Sequence, residues 1–301
     1  MPDLSVKIGA LTLPNPVLVA SGTFGNGEEM SALIDLRQLG GIVLKGTTLR
    51  PRQGNAPARV VETPSGVLNA IGLQNPGIEE TLRDKAPFVK HFGIPCIINV
   101  SGESVDDYGE LAARSDACAA VDAIELNVSC PNVKCGGIAF GTNEELLRDA
   151  VRAARAATRK PLIVKLSPNV TDIARMARIA EEAGADAVSL INTLLGMVID
   201  VNKRRPVLAN NVGGLSGPAV RPVAVCMTWK VARAVAIPVI GMGGIETLDD
   251  ALQFFIAGAC AVQVGTANFY NPRAAVDLAA ALRAFMSTHN LASLAELRGD
   301  F

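Results

Sequence analysis

Short apolar runs alternate with amphipathic segments along the whole chain. The apolar runs predict strands at Pro16–Ser21, Gly41–Gly46, Pro95–Ser101, Ala123–Ser129, Pro161–Ser167, Ala187–Thr193, Pro238–Gly244 and Ala261–Ala267. Segments with helical spacing of apolar residues lie between them, at Glu28–Leu39, Ile78–Phe92, Asp106–Cys118, Glu144–Arg159, Asp172–Ala183, Ala219–Ala236, Leu248–Ala257 and Pro272–Thr288. Nearly uninterrupted apolar strands are typical of parallel sheets that are covered on both faces.

Eight strand–helix units in 301 residues favour a (β/α)8 TIM barrel, formed as a single domain over residues 1–301. The alternative is an open, doubly wound sheet. The turn Gly22 to Gly27 lacks the GxGxxG spacing of that fold, and no acidic residue ends the second strand. Residues Leu4–Pro14 predict a short N-terminal hairpin that closes the floor of the barrel.

Composition narrows the function classes. The sequence has 28 Lys and Arg residues against 29 Asp and Glu residues, so it lacks the basic excess that nucleic acids or anionic membranes attract. Its 49% hydrophobic content and mean hydropathy of +0.30 fit buried strands. The sequence has no apolar stretch of about 18 residues and no leader-like N-terminus, so we expect a cytoplasmic protein with no membrane partner.

Glycine-rich turns follow the last two predicted strands. Gly243, Gly244 and Gly265 precede helix starts, where backbone N–H groups bind phosphate; Thr266 adds a hydroxyl, and Gly217 can join them. The alternative is that these glycines only permit tight turns.

Two lysines and several amides mark the other strand ends. Lys45 and Lys165 interrupt apolar strands, which indicates either contact with an anionic or electron-rich ligand or ion pairs with Glu125 or another carboxylate inside the barrel. Five asparagines supply both donors and acceptors without charge, as a flavin or pyrimidine ring requires: Asn69, Asn99, Asn127, Asn132 and Asn192. Any one of them alone is more typical of a turn or a helix cap.

A thiol lies in the same predicted region. Cys130, directly after the fourth strand, is a candidate general base, less readily a covalent nucleophile, and otherwise a buried small residue. Cys135 lies in a glycine-containing loop and is the weaker candidate. The remaining cysteines fall in apolar patterns, which predicts buried packing, at Cys96, Cys118, Cys226 and Cys260. No metal site is predicted, because the pair Cys130 and Cys135 has no second pair.

Four motifs together resemble dihydroorotate dehydrogenase over almost the full chain: Ser129-Cys130-Pro131-Asn132, residues 69–75 (NAIGLQN), residues 191–193 (INT) and residues 241–244 (GMGG). In having a cysteine in the first motif, the chain resembles the soluble class 1 enzymes of this family. Residues 133–137 (VKCGG) and 20–25 (ASGTFG) resemble the NAD-linked type 1B catalytic subunit. Cys135 departs from the family pattern and adds a site for oxidation.

The resemblance implies FMN across the barrel mouth and oxidation of dihydroorotate to orotate in pyrimidine biosynthesis. It implies a cofactor shell of Ser21, Lys45, Gly46, Asn99, Asn127, Lys165, Ile191, Gly217, Gly243, Gly244, Gly265 and Thr266. It implies substrate contacts at Lys45, Asn69, Ala70, Ile71, Gly72, Leu73, Asn127, Asn192 and Thr193. Cys130 would take the C5 proton, with Lys45 and Lys165 as further catalytic residues.

The same resemblance implies a partner. The sequence shows no dinucleotide site and no set of iron–sulfur ligands, so the electrons would pass to NAD⁺ through a second subunit with FAD and a [2Fe-2S] cluster, in a heterotetramer of two chains of each kind. Three alternatives stay open: a type 1A enzyme that reduces fumarate, another FMN barrel such as a dihydropyrimidine or dihydrouridine reductase, and a non-redox phosphate-binding aldolase or isomerase with Lys165 as a Schiff base.

Overall fold

The computed structural model describes residues 2–128 and 138–301. In this part of the chain the strands are β1 (Val6–Ile8), β2 (Leu11–Leu13), β3 (Val17–Val19), β4 (Gly41–Val43), β5 (Val60–Thr63), β6 (Gly66–Asn69), β7 (Cys96–Val100), β8 (Ala123–Asn127), β9 (Leu162–Lys165), β10 (Ala187–Leu190), β11 (Leu194–Gly196), β12 (Ile199–Asp200), β13 (Arg205–Pro206), β14 (Gly213–Ser216), β15 (Val239–Met242) and β16 (Ala261–Val264).

The α-helices are α1 (Ile78–Glu80), α2 (Ala86–His91), α3 (Val105–Ala117), α4 (Ile138–Thr142), α5 (Glu144–Ala157), α6 (Ile173–Glu182), α7 (Arg221–Ala232), α8 (Leu248–Ala257) and α9 (Ala274–Thr288). A π-helical segment, Thr81–Lys85, joins α1 to α2. Short 3-10 helices lie at Met30–Ala32, Leu36–Gln38, Pro218–Val220, Thr266–Phe269 and Leu294–Leu297.

Eight parallel strands close into a barrel in the order β10, β15, β16, β3, β4, β7, β8, β9. These are the eight strands that the apolar runs predict, each shorter than its run. Their burial is continuous, as in β8 and β9, because helices cover the outer face and side chains fill the interior. The (β/α)8 prediction is therefore confirmed.

The N-terminal hairpin pairs β1 with β2 in antiparallel register and closes the bottom of the barrel. Its apolar side chains, such as Ile8 and Leu13, are fully buried. They pack against one residue from each barrel strand, namely Leu18, Val43, Ile97, Ala123, Ile163, Ala187, Ile240 and Ala261. This apolar layer seals one end of the barrel in the described part of the chain, which leaves the opposite end for ligands.

A second sheet lies in the connections that leave the opposite end of the barrel. It is antiparallel, with the order β11, β14, β6, β5. It was not expected from the sequence, because these strands are three or four residues long and partly exposed, and their apolar pattern is weak. Side chains of this sheet line the barrel mouth, and most of them were not expected there because they do not follow a barrel strand.

The predicted helix Glu28–Leu39 is wrong. The structure has two 3-10 turns there, Met30–Ala32 and Leu36–Gln38. Asp35 has an extended backbone and its carboxylate accepts a hydrogen bond from the N–H of Arg37, so it starts a new turn and interrupts any continuous helix.

Four cysteines were predicted to be buried, and this is confirmed for Cys96 and wrong for Cys226. Cys96 is buried in β7, whereas Cys226 is exposed on α7. Cys118 and Cys260 are intermediate. Burial raises the pKa of the Cys260 thiol to about 12, which keeps it protonated and unreactive at neutral pH.

Candidate active site

A cavity of about 560 Å³ opens at the carboxyl ends of the barrel strands. This volume is in the range of small-molecule and cofactor sites. Of the predicted site residues, the cavity lining includes Ser21, Lys45, Gly46, Asn69, Ile71, Gly72, Leu73, Asn127, Lys165, Ile191, Asn192, Thr193, Gly217, Gly243, Gly244, Gly265 and Thr266. Residues from distant parts of the sequence therefore meet at one mouth.

Two predicted residues lie behind the lining. Ala70 is buried, and its backbone oxygen accepts a hydrogen bond from the side-chain amide of Asn55. Asn99 is fully buried inside the barrel and contacts the lining residue Asn127 through a side-chain hydrogen bond of 3.4 Å. Cys130, Asn132 and Cys135 lie outside the described residues.

The glycine turns pack against one another at one side of the cavity. Gly217 and Gly244 have positive φ angles of 92° and 72°. A Cβ atom on Gly244 would lie 2.7 Å from the backbone oxygen of Gly217, and one on Gly243 would lie 2.8 Å from Cβ of Ala224. The close packing explains why glycine is needed at these turns.

Thr266 continues this side of the cavity. It begins a 3-10 helix directly after Gly265, and its hydroxyl donates to Oγ of Ser216 at 2.9 Å. Ser216, from the unpredicted antiparallel sheet, also lines the cavity. The arrangement presents glycine backbone and hydroxyl groups together, which is the chemistry that binds phosphate.

Glu125 is the centre of a polar network below the cavity. Its side chain is fully buried. Oε1 accepts from Nδ2 of Asn99 at 2.7 Å, and Oε2 accepts from Oγ of Ser189 at 2.8 Å and from Nε2 of Gln263 at 2.9 Å. The donors come from three other barrel strands, so the carboxylate ties the barrel interior together.

Lys165 connects this network to the cavity. Its ammonium lies 4.0 Å from Oε1 of Glu125, and the side chain is only 6% exposed. The alternative of an ion pair inside the barrel is therefore realised for Lys165, yet the residue also lines the cavity. Because the nearby carboxylate offsets part of the free-energy cost of burying the ammonium, Lys165 can also face a ligand in the cavity.

Lys45 lies across the mouth in a different electrostatic setting. Burial lowers the pKa of its ammonium, the positive charge of Arg59 lowers it further, and Glu29 acts in the opposite direction. Among the described residues no carboxylate forms an ion pair with Lys45 or Arg59. The nearby Arg52, by contrast, is paired with Glu103. Lys45 therefore lines the cavity as a cation without an ion pair among the described residues, and its contact with an anionic ligand stays a prediction.

The end of β8 is anchored from behind. The backbone oxygen of Asn127 accepts a hydrogen bond from the hydroxyl of Tyr108 at 2.9 Å. Because Asn99 donates to Glu125, its own Oδ1 faces Nδ2 of Asn127. Glu125 thus fixes the amide orientation of both asparagines.

Two charged residues of the cavity lining, Arg59 and Glu62, were not expected from the sequence. Glu125 was expected only as an ion-pair partner of the lysines, and its role as the centre of a network was not. Glu125 had a signal, because a carboxylate within the apolar run Ala123 to Leu126 must find partners when buried. Arg59 and Glu62 follow no predicted strand, so the rule that chemistry lies at strand ends could not find them.

The described residues, 2–128 and 138–301, contain neither a membrane-spanning helix nor a candidate metal site. No helix there is long and apolar enough to span a bilayer. No group of three or more His, Cys, Asp or Glu side chains there could hold a metal ion.

The closed parallel barrel, sealed at its floor and lined with polar side chains at the opposite mouth, defines the class of protein: a (β/α)8-barrel enzyme that binds its ligands at the carboxyl ends of the strands.

Comparison with known proteins gives the family. The family model described as "Dihydroorotate dehydrogenase" matches residues 3–286. Proteins named "Dihydroorotate dehydrogenase B (NAD(+)), catalytic subunit" are 56% identical in Trichlorobacter lovleyi, 55% in Geobacter sulfurreducens and 54% in Desulforamulus reducens, each covering 99% of this chain and 98% of the relative. The chain belongs to the dihydroorotate dehydrogenase family, and these relatives are of the NAD⁺-linked kind that residues 133–137 and 20–25 predicted.

Proposed function

We propose that this chain is the catalytic subunit of an NAD⁺-linked dihydroorotate dehydrogenase, a single FMN-binding barrel domain that oxidises dihydroorotate to orotate in pyrimidine biosynthesis. The observation that carries the proposal is the cavity in which Lys45, Asn69, Asn127, Lys165, Asn192 and the glycine turns meet. Relatives that cover nearly the whole chain at over 50% identity support it.

The family implies a flavin cofactor, and the residues present fit FMN. Gly243, Gly244, Gly265 and Thr266, with Gly217, would hold the phosphate, because they present backbone and hydroxyl groups without side chains that fill the space. Ser21, Gly46, Asn99, Asn127 and Ile191 would complete the shell. When bound, the flavin supplies the acceptor for the substrate hydride.

Lys165 would stabilise negative charge on the reduced cofactor. Its position between buried Glu125 and the cavity holds the ammonium in place while leaving its other side toward the ligand. The network through Asn99 orients Asn127, so this amide presents a defined donor and acceptor to a ring with alternating carbonyl and N–H groups.

The segment Asn69 to Leu73 would contact the substrate together with Asn192 and Thr193. It is held in shape by Asn55, whose backbone N–H donates to the oxygen of Ile71 and whose amide donates to the oxygen of Ala70. Gly72 and Leu73 have positive φ angles of 77° and 55°. Such a fixed segment orients a ligand at little cost in entropy.

Cys130 would take the proton from C5 of the substrate as the hydride leaves C6. A thiol has an ordinary pKa of about 8.5, so its thiolate requires stabilisation to act as a base at neutral pH. Lys45 is a further catalytic residue that the resemblance implies. These roles rest on the sequence motif and the resemblance, since Cys130 lies outside the described residues.

The relatives' names as catalytic subunits imply a second subunit that passes electrons to NAD⁺. We propose that this partner carries FAD and a [2Fe-2S] cluster and that two chains of each kind form a heterotetramer in the cytoplasm. The described part of this chain has no candidate metal cluster of its own, so a separate electron carrier is the simplest arrangement.

An assay of orotate formation tests the function. The purified chain with an artificial dye as acceptor should convert dihydroorotate to orotate, and NAD⁺ should replace the dye only when the partner subunit is present. Reduction of fumarate by the chain alone would instead identify the type 1A enzyme. Absence of orotate with every acceptor, in protein loaded with FMN, would refute the proposal.

Replacing Gly244 with alanine should weaken flavin binding and lower the melting temperature. The left-handed backbone alone costs about 1–2 kcal/mol for a residue with a Cβ, and the new methyl group would also press against Gly217 and Arg221. Gly93→Ala is the matched control, because Gly93 has a φ of 70° and nothing within 4 Å of the added Cβ.

The flavin absorbance retained after dialysis and the melting curve distinguish the two variants. Gly93→Ala should show only the conformational cost and full flavin content. Equal flavin retention in both variants would argue against a role of the Gly244 turn in cofactor binding.

A further inference from the structure

Two cations at the cavity mouth form no ion pair within the described part of the chain. Lys45, just beyond β4, and Arg59, just before β5, both line the cavity. Lys165, which lines the same cavity, has the carboxylate of Glu125 at 4.0 Å. In the described part of the chain neither Lys45 nor Arg59 has a carboxylate oxygen within 4.0 Å, in contrast to Arg52, which pairs with Glu103.

Lys45 and Arg59 both line this cavity and are near enough for their charges to interact. The charge of Arg59 is the second cause, after burial, that lowers the pKa of Lys45. The lining residue Glu62 is exposed and forms no ion pair with either of them among the residues described. Glu29 acts on Lys45 in the opposite direction, but it forms no ion pair with Lys45 among the described residues. Two positive charges that repel each other are costly, and a bound anion that contacts both lowers that cost.

Arg59 is held over the predicted substrate segment. Its Nη2 donates to Oε1 of Gln74 at 2.5 Å and its Nη1 to the backbone oxygen of Asn55 at 3.4 Å. Its own backbone oxygen accepts from the N–H of Ala70 at 2.8 Å. These bonds engage two of the five N–H groups of the guanidinium, so donors remain for a ligand.

We propose that Arg59 is a specificity-determining residue that, together with Lys45, binds the carboxylate of dihydroorotate and orotate. The planar guanidinium matches a carboxylate better than an ammonium does. It would thereby select the anionic substrate over neutral dihydropyrimidines with the same ring. This inference rests on the proposed function and adds to it a residue outside the motifs that carried the resemblance.

The test compares binding of orotate and of its neutral carboxamide, followed as the change each causes in the flavin spectrum. Arg59→Gln should weaken orotate binding about tenfold to hundredfold, as expected for loss of one charge-assisted hydrogen bond. Binding of the carboxamide should change less than about threefold, and turnover should show a raised KM with kcat nearly unchanged. Arg59→Lys should keep part of the preference for the anion.

Arg52→Gln is the matched control, because Arg52 lies in the same connection but pairs with Glu103 and does not line the cavity. It should bind both ligands like the wild type. If Arg59→Gln cannot be recovered folded, Arg59→Met removes the same charge and should give the same loss of preference.

Equal weakening of orotate and carboxamide would overturn the inference, since Arg59 would then only hold the segment through Gln74. Unchanged orotate binding would overturn it as well. Failure of the wild type to bind orotate would instead count against the proposed function itself, so the two failures are distinguishable.

Discussion

Cys130→Ala should lower the turnover of dihydroorotate by about 10²- to 10⁴-fold at neutral pH, because that is the usual contribution of a positioned general base. The flavin absorption should stay at full strength, because the residues assigned to the cofactor are untouched. The measurement is kcat across a range of pH beside the flavin content of the same preparation. The residual activity of the variant should lose the rise with pH that titration of the thiol gives the wild type.

Two other thiols serve as controls. Cys135→Ala tests the neighbouring candidate, and Cys226→Ala tests a thiol that is exposed on α7, away from the cavity lining. Both should retain nearly full activity. A loss of turnover in Cys135→Ala, with Cys130→Ala active, would mean that the other cysteine is the base.

Glu125→Ala should destabilise the folded protein by about 3–5 kcal/mol, the usual cost of removing one partner from a buried ion pair. The change leaves the buried ammonium of Lys165 without its carboxylate and removes the acceptor for Asn99, Ser189 and Gln263. The measurement is the free energy of unfolding from denaturant titration of the flavin-free protein. Flavin binding should also weaken, because Lys165 and Asn127 lose their fixed positions.

Ser115→Ala is the control, because it measures the loss of stability on removing an ordinary buried hydroxyl. Ser115 is fully buried on α3 and its hydroxyl donates only along its own helix, to the oxygen of Leu111 at 2.7 Å. Its loss should cost about 1 kcal/mol. A Glu125→Ala variant no less stable than Ser115→Ala would show that the network does not support the barrel interior.

The barrel could be predicted from the sequence because its signal is repeated. Each apolar run is short and buried on both faces, so the strand positions follow from hydrophobicity alone, and parallel order places their ends at one mouth. This is why Lys45, Lys165, Asn127 and Asn192, more than a hundred residues apart in places, were expected together and lie along one cavity.

The parts that the sequence did not predict depend on contacts between distant segments. Strands β5, β6 and β14 are short, and their pairing comes from register between residues 60–69 and 213–216 rather than from a local pattern. Arg59 enters the site through this sheet. The partners of Glu125 come from three different strands, so a local pattern could indicate only that the carboxylate needs partners.

An anaerobic titration of the flavin spectrum tests the central claim most directly. The purified chain should carry FMN, and equimolar dihydroorotate, added without oxygen, should bleach its visible absorption and yield orotate. Protein that binds no flavin when supplied with FMN, or a bound flavin that dihydroorotate leaves unbleached, would contradict it.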